Sequence, residues 1–298
     1  MKKKFVYTLP FYLMLLPAMV LLFIYNYIPM IGNLMAFERF NAVRGLFKSQ
    51  WIGFDNFRYV FSMPDTPQVL WNTFYIAFLK VVTGIIIPVF FALLINEVGS
   101  VFYKRLIQTI IYFPHFLSWV ILAGILIDVL SPSQGVIGRF FTFVGLKPIF
   151  FLGDPKVFPY TLVFTESWKE FGFGTIVYLA ALTGIDPNLY EAAMIDGANR
   201  WQQTFYVTIP GILPIVMLMT ILSMGNILNA GFDQVFNLYS PQVYKTGDIL
   251  DTLVYRMGLI DAQYGVATAV GLFKSLISFV MLAVSYTLAY RFTDYRVF

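Results

Sequence analysis

Cysteine is absent from this 298-residue chain, histidine occurs once, at His115, and charged residues make up only 12%. Without cysteine there is no disulfide framework and no thiol nucleophile, and a single histidine leaves the usual zinc clusters without their ligands. No Gly-Lys dipeptide occurs anywhere, so the phosphate-cradling loop GxxxxGK[ST] is missing and the chain cannot hold a nucleotide by that route. HExxH and GxSxG are missing too, which removes two common hydrolase constellations. The net charge of +4 does not point to nucleic acid, because no basic cluster interleaved with aromatics exceeds the initial Lys2, Lys3 and Lys4.

What is abundant is apolar. Hydrophobic residues reach 59% and the mean hydropathy is +0.73, far from the usual soluble domain. Several runs exceed the roughly 18 residues that cross a hydrocarbon core about 30 Å thick, and a helix satisfies its own backbone there. The expected fold is an all-α membrane protein with six spans near 10–32, 70–96, 106–130, 159–182, 208–229 and 266–291. The three initial lysines and the apolar run after them resemble a signal peptide, but the run continues through Tyr27 and Ile28 with no small-x-small cleavage site, so a retained first helix is expected. Spans and loops use up residues 1–298 as one membrane domain, with no repeat and no soluble catalytic part.

An even number of spans puts both termini on one side. That side holds Lys2, Lys3, Lys4, Lys104, Arg105, Arg200, Arg291 and Arg296, eight basic residues in about 50; the other holds nine in about 100. By density the N-terminus (1–9), the loop about 183–207 and the C-terminus (291–298) are expected in the cytoplasm of a bacterial plasma membrane.

The loop 183–207 is the polar exception between two apolar runs. "GIDPNLYEAAMIDGANRWQQTF" reads as two short helices: Asp186 caps the first, Pro187 starts it, and Gly197 ends it in a left-handed conformation, with Ala198 or Asn199 opening the second. Three acids, Asp186, Glu191 and Asp196, against Arg200 leave a charge of −2, the wrong sign for a helix resting on anionic lipid. An acidic Ala-Gly helix suits a groove on another protein, where Glu191 can pair with a cation.

The spacing Glu191-Ala192-Ala193, three residues, Gly197, nine residues, Val207, one residue, Ile209-Pro210 resembles the "EAA…G…I.LP" signature of permease subunits of ATP-binding cassette importers. "WIGFDNF", "GFDQVFNLYSPQVY" and "GVATAVGLFKS" are similar to the carbohydrate branch, especially permeases for plant or host-derived oligosaccharides. The resemblance implies a type I importer permease fold. It implies a second homologous permease, a heterodimer in this branch, two cytoplasmic ATPases that carry the ATP and Mg, and an extracytoplasmic solute-binding protein. It also makes Glu191, Ala192, Ala193, Asp196, Gly197 and Ala198 the coupling helix, seated on an ATPase.

Charges inside spans cost on the order of 3 kcal/mol each, so each asks for a partner or a cavity. Glu166, Lys169 and Glu170 lie beside Trp168. Lys169 can reach Glu166 as an intrahelical pair near the outer interface; alternatively Trp168 stacks on a sugar ring while Lys169 and Glu170 bond its hydroxyls. On the fifth span Ser223, Asn226, Asn229 and Asp233 recur at three to four residues and so are expected to form one polar stripe on a helix, open to helix packing or to cavity lining. In maltose-type relatives the corresponding helix supplies asparagines to the sugar site, and the resemblance carries that role to Asn226 and Asn229. Lys80 and Lys274 either pair with acids on neighbouring helices or line the cavity. His115 is expected to bond backbone freed by Pro114. An ion-coupled transporter or channel working alone, or an intramembrane enzyme, would call for paired carboxylates, repeated halves or a nucleophile set, and none of these stands out.

Overall fold

A computed structural model describes the backbone of residues 2–293 and the side chains of 9–287 and Arg291. Met1 and 294–298, most of the expected cytoplasmic C-terminus, lie outside the described residues. Contacts divide the chain into two compact units, 1–63 with 254–273 and 64–253 with 274–298.

In the first unit helix α1 (Lys2–Leu22) runs on through a π-helical turn and a 3-10 stretch to Phe37, so that Leu9–Phe37 forms an apolar rod of 29 residues. A small antiparallel hairpin, β1 (Glu38–Arg39) with β2 (Gln50–Trp51), and helix α2 (Asp55–Ser62) follow. The Asn56 amide fastens them by donating to the carbonyls of Ala36 (2.9 Å) and Glu38 (3.0 Å).

The second unit is built around α3 (Thr66–Asn96) and α7 (Phe158–Thr183), which pack along each other more extensively than any other pair. Between them come α4 (Val101–Tyr112), α5 (Trp119–Val129) and α6 (Val136–Phe143). After α7 follow α8 (Pro187–Ile195), α9 (Arg200–Gln203), α10 (Ile209–Met224), α11 (Phe232–Leu238), α12 (Tyr244–Gly247), α13 (Leu250–Tyr255) and α14 (Tyr264–Thr293), the last of which starts in the first unit. One core cluster gathers Ile76, Phe158, Leu162, Val235 and Ile249; another, nearer the loop 183–207, gathers Ala92, Tyr178, Leu182 and Ile212. Gly172 lets α7 touch α4 backbone to backbone, since a Cβ there would collide with the carbonyl of Ile111.

Among the described residues four helices are long and apolar enough to cross a bilayer: Leu9–Phe37, Thr66–Asn96, Arg200–Met224 and Tyr264–Thr287. The expected third span is not one rod. Val101–Phe116 and Trp119–Val129 meet at 102°, because Pro114 donates no hydrogen bond and Ser118 caps a new helix, its Oγ accepting from the amide of Ile121. At 26 residues α7 is long enough to cross, about 39 Å, but Glu166, Lys169 and Glu170 lower its apolarity. The expected fifth span starts earlier, at Arg200, and ends at Met224 rather than near 229.

Candidate functional site

The loop 183–207 folds as its residues require. The Asp186 carboxylate accepts from the amide of Asn188 (3.0 Å), Pro187 opens α8, and Gly197 takes φ +79°, so that the amide of Ala198 reaches back to the carbonyl of Ala193 (2.9 Å). Asn199, not Ala198, opens α9. Its side chain accepts from the amide of Gln202 (2.9 Å), while the Gln202 side chain accepts from the amide of Asn199 (2.7 Å), a reciprocal capping box. Glu191, Ala192, Asp196 and Gly197 are exposed and Ala193 and Ala198 half-buried; Ile195 is 87% and Trp201 74% exposed. No residue of α8 is buried, so this helix is held by contacts at its N-terminal side rather than by a core.

Two contacts fasten that side. Ile185 packs with Leu182 and Ile212, and a Cβ on Gly211 would come within 2.8 Å of it. Tyr190 shares a hydrogen bond of 3.0 Å with Thr208 in the π-helical turn that leads into α10. A push on α8 therefore reaches α7 through Ile185 and α10 through Tyr190.

Further along α7 a cavity of about 450 Å³ opens between α3, α7 and the chain that follows α10. From α3 it is lined by Lys80, Thr83 and Pro88 among others; from α7 by Glu166, Ser167, Glu170, Phe171 and Phe173; from the end of α10 by Ser223; and beyond α10 by Asn226, Asn229 and Gly231. The Ser167 hydroxyl donates to Thr83 Oγ1 (2.8 Å). Amides, hydroxyls and carboxylates beside two phenylalanine faces suit a polyhydroxylated ligand.

Several sequence expectations are corrected here. Ser223, Asn226, Asn229 and Asp233 do not share a helical stripe. After Met224 the amides bond three residues back, as in Asn226 to Ser223 (3.0 Å) and Asn229 to Asn226 (2.8 Å), and Gly231 turns the chain at φ +88°. Ser223, Asn226 and Asn229 still reach the cavity, but Asp233 has moved to α11 and lies outside it, exposed. Trp168, 41% exposed, is also outside the cavity: it sits about 160° round α7 from Glu170 at roughly 100° per residue. Phe171 and Phe173 provide the aromatic faces instead. The same helical count applied to Glu166, Ser167, Glu170, Phe171 and Gly174 would have picked out their common face.

Glu166 pairs across to another helix rather than with Lys169, and Lys169, which lies outside the cavity lining, turns to its chain neighbour Glu170. Lys169 donates to Glu170 Oε1 (2.6 Å) and to the carbonyl of His115 (3.0 Å), while Glu166 lies 3.5 Å from Lys80. His115 does not bond freed backbone: its Nδ1 is 2.7 Å from Glu170 Oε2, and its ring stacks on Phe173 at 4.0 Å. Lys80 both pairs and lines the cavity, whereas Lys274 pairs with Asp251. Among the described residues no group of three His, Asp or Glu side chains is placed to hold a metal.

A helical membrane body in which one helix carries a polar cavity wall midway along its length and leads at its C-terminal end into an exposed helix has a layout suited to a transport permease. The chain belongs to the family of binding-protein-dependent transport system inner membrane components, whose model matches residues 84–295. It is 39% identical to the Protein LplB of Bacillus subtilis (strain 168) over 96% of this chain and 90% of that one. It is 35% identical to the polygalacturonan/rhamnogalacturonan transport system permease protein YteP of the same organism, over 95% and 88%. Its fold matches a chain of a bacterial alginate ABC transporter in complex with an alginate pentasaccharide-bound periplasmic protein, with a TM-score of 0.90 and 38% identity over 99% of both chains. The architecture is thus that of a type I ABC importer permease, a transport subunit and not an enzyme.

Proposed function

We propose that this chain is one permease half of an ATP-driven importer that accepts an oligosaccharide from an extracytoplasmic binding protein. A single observation carries the reading: α7 both lines the polar cavity and runs directly into the exposed helix α8. A partner ATPase that grips Glu191, Ala192, Ala193, Asp196, Gly197 and Ala198 would move the cavity wall without any fuel site in this chain. The assembly is completed by a second homologous permease, expected as a heterodimer, and two cytoplasmic ATPases that bind the ATP and Mg. The chain acts as one transmembrane body with six spans, the bent pair and α7 counted, and with both termini and the loop 183–207 cytoplasmic.

The cargo class is supported by the cavity and by relatives named for alginate and for polygalacturonan/rhamnogalacturonan. Ser223, Asn226 and Asn229, with Glu170, supply the polar contacts, while Lys169 acts behind Glu170. The test is uptake into liposomes by the assembled transporter, over oligogalacturonides, alginate oligosaccharides and neutral oligosaccharides. Asn226→Ala and Asn229→Ala are each expected to raise the half-saturating sugar concentration several-fold, since a lost hydrogen bond to a neutral group is worth about 1 kcal/mol. Parental uptake of every sugar by both variants would show that these amides only pack. Uptake by the purified chain alone, without ATPase or binding protein, would instead favour an ion-coupled carrier or channel.

A further inference from the structure

Lys80 has its side chain 10% exposed and its ammonium surrounded by acceptors from three parts of the fold. It donates to the carbonyl of Ala230 (2.6 Å) and to Gln234 Oε1, and lies 3.5 Å from Glu166 Oε2. An ammonium has three donors, so all three are engaged. Gln234 is fully buried, and its own amide nitrogen is committed to α7 through the Leu162 carbonyl and Thr165 Oγ1, both at 2.8 Å. Lys80 and Gln234 therefore tie α3, α7 and α11 together around the segment 225–231. That segment is also shaped to meet the ammonium: Gly231 stands at φ +88°, and a Cβ there would be 3.0 Å from Lys80 Nζ.

The segment 225–231 carries Asn226 and Asn229 into the cavity wall. The contact between Asn229 Oδ1 and the amide of Gly231 (3.4 Å) is internal to it, and so anchors nothing to the helices. We propose that Lys80 is a positioning residue: it pins this segment to α3 and thereby sets where the two asparagine amides face, without serving as a charge for the cargo. The sugar-facing part of this claim rests on the function proposed above; the pinning does not. With its donors spent, Lys80 has none to offer a sugar carboxylate, so its loss should affect neutral and acidic sugars alike.

The absence of cysteine provides a direct readout. Asn226→Cys introduces a unique thiol into this chain, which can be spin-labelled in the assembled transporter in lipid once any reactive cysteines of the other subunits have been replaced. Lys80→Met is expected to mobilise that label. Gly231→Ala, which displaces the segment while keeping the lysine, is expected to do the same and serves if Lys80→Met does not assemble. In the unlabelled transporter Lys80→Met should raise the half-saturating sugar concentration on the order of tenfold for every transported sugar. Asn226→Ala should add little on top of it, because the amide is already misplaced. Label spectra unchanged in an assembled Lys80→Met transporter, or in Gly231→Ala where Lys80→Met does not assemble, would overturn the pinning. Selective loss of acidic sugars, or full additivity with Asn226→Ala, would overturn the positioning role. A mobilised label with unaltered uptake of every sugar would uphold the pinning and refute the cavity as the sugar site.

Discussion

Gly197→Val is expected to cut transport by the assembled importer about tenfold or more while leaving the amount of this chain in the membrane unchanged. Gly197 sits at φ +79°, where a Cβ meets no neighbouring atom but the backbone itself is strained, by roughly 1–2 kcal/mol for an L residue and more for a β-branched one. The strain is relieved by releasing the bond between the Ala198 amide and the Ala193 carbonyl, which unwinds the last turn of α8 and misaligns the start of α9 at Asn199. The core is spared, because α8 buries nothing in this chain. Glu191→Lys tests the same handle without touching the backbone: Glu191 is exposed and makes no ion pair among the described residues, so reversing its charge costs this chain nothing and weakens only a contact with a partner. In both variants ATP hydrolysis should persist but lose its stimulation by sugar-loaded binding protein. Parental transport in both would remove the coupling assignment.

Lys274→Met should destabilise the chain by about 3–5 kcal/mol, the cost of stranding one partner of a shielded ion pair. Lys274 on α14 donates to both carboxylate oxygens of Asp251 on α13, at 2.6 and 2.8 Å, with each side chain 22% exposed. Removing the ammonium leaves a carboxylate among apolar helices, where it must be neutralised or drag in water. Replacing the pair together, Lys274→Met with Asp251→Leu, should recover most of the loss, since the penalty lies in the orphaned charge rather than in the missing attraction. The check is the thermal aggregation midpoint in detergent: a clear fall for Lys274→Met and for Asp251→Leu alone, and a return toward the parent for the double variant. A single variant as stable as the parent, or a double variant worse than either single, would contradict this account.

The segment 186–204 is where sequence reading succeeds in detail, down to the capping aspartate, the left-handed glycine and the second helix. The bonds that cap and turn its two helices join residues at most five positions apart, as Ala198 to Ala193, while the bond from Tyr190 to Thr208 fastens the folded segment to its surroundings. The polar residues in the spans behaved otherwise. Lys169 was within reach of Glu166 on the same helix, yet Glu166 faces Lys80, 86 positions away, and Glu170 faces His115, 55 positions away. Packing α3 and the α4–α5 elbow against α7 brought Lys80 to Glu166 and His115 to Glu170, which also keeps Lys169 beside it. The stripe from Ser223 to Asp233 failed for a related reason. Extending a helix past Met224 was consistent with apolar periodicity, but Gly225, Asn226, Asn229 and Gly231 are poor helix formers, and the carbonyl of Ala230 is held by Lys80.

By itself, then, the amino-acid sequence determined that this is a helical membrane body without a phosphate-loop motif and with a short acidic segment folded as two capped helices. Hydropathy, the absence of a phosphate loop and local capping chemistry are all readable from neighbouring residues. Only the tertiary structure decided which side chains share the cavity, why Trp168 and Asp233 are left out of it, and that a buried lysine binds its wall together. Those outcomes depend on which faces of distant helices meet, and that is set by the fit of whole helices against one another rather than by any stretch of sequence alone.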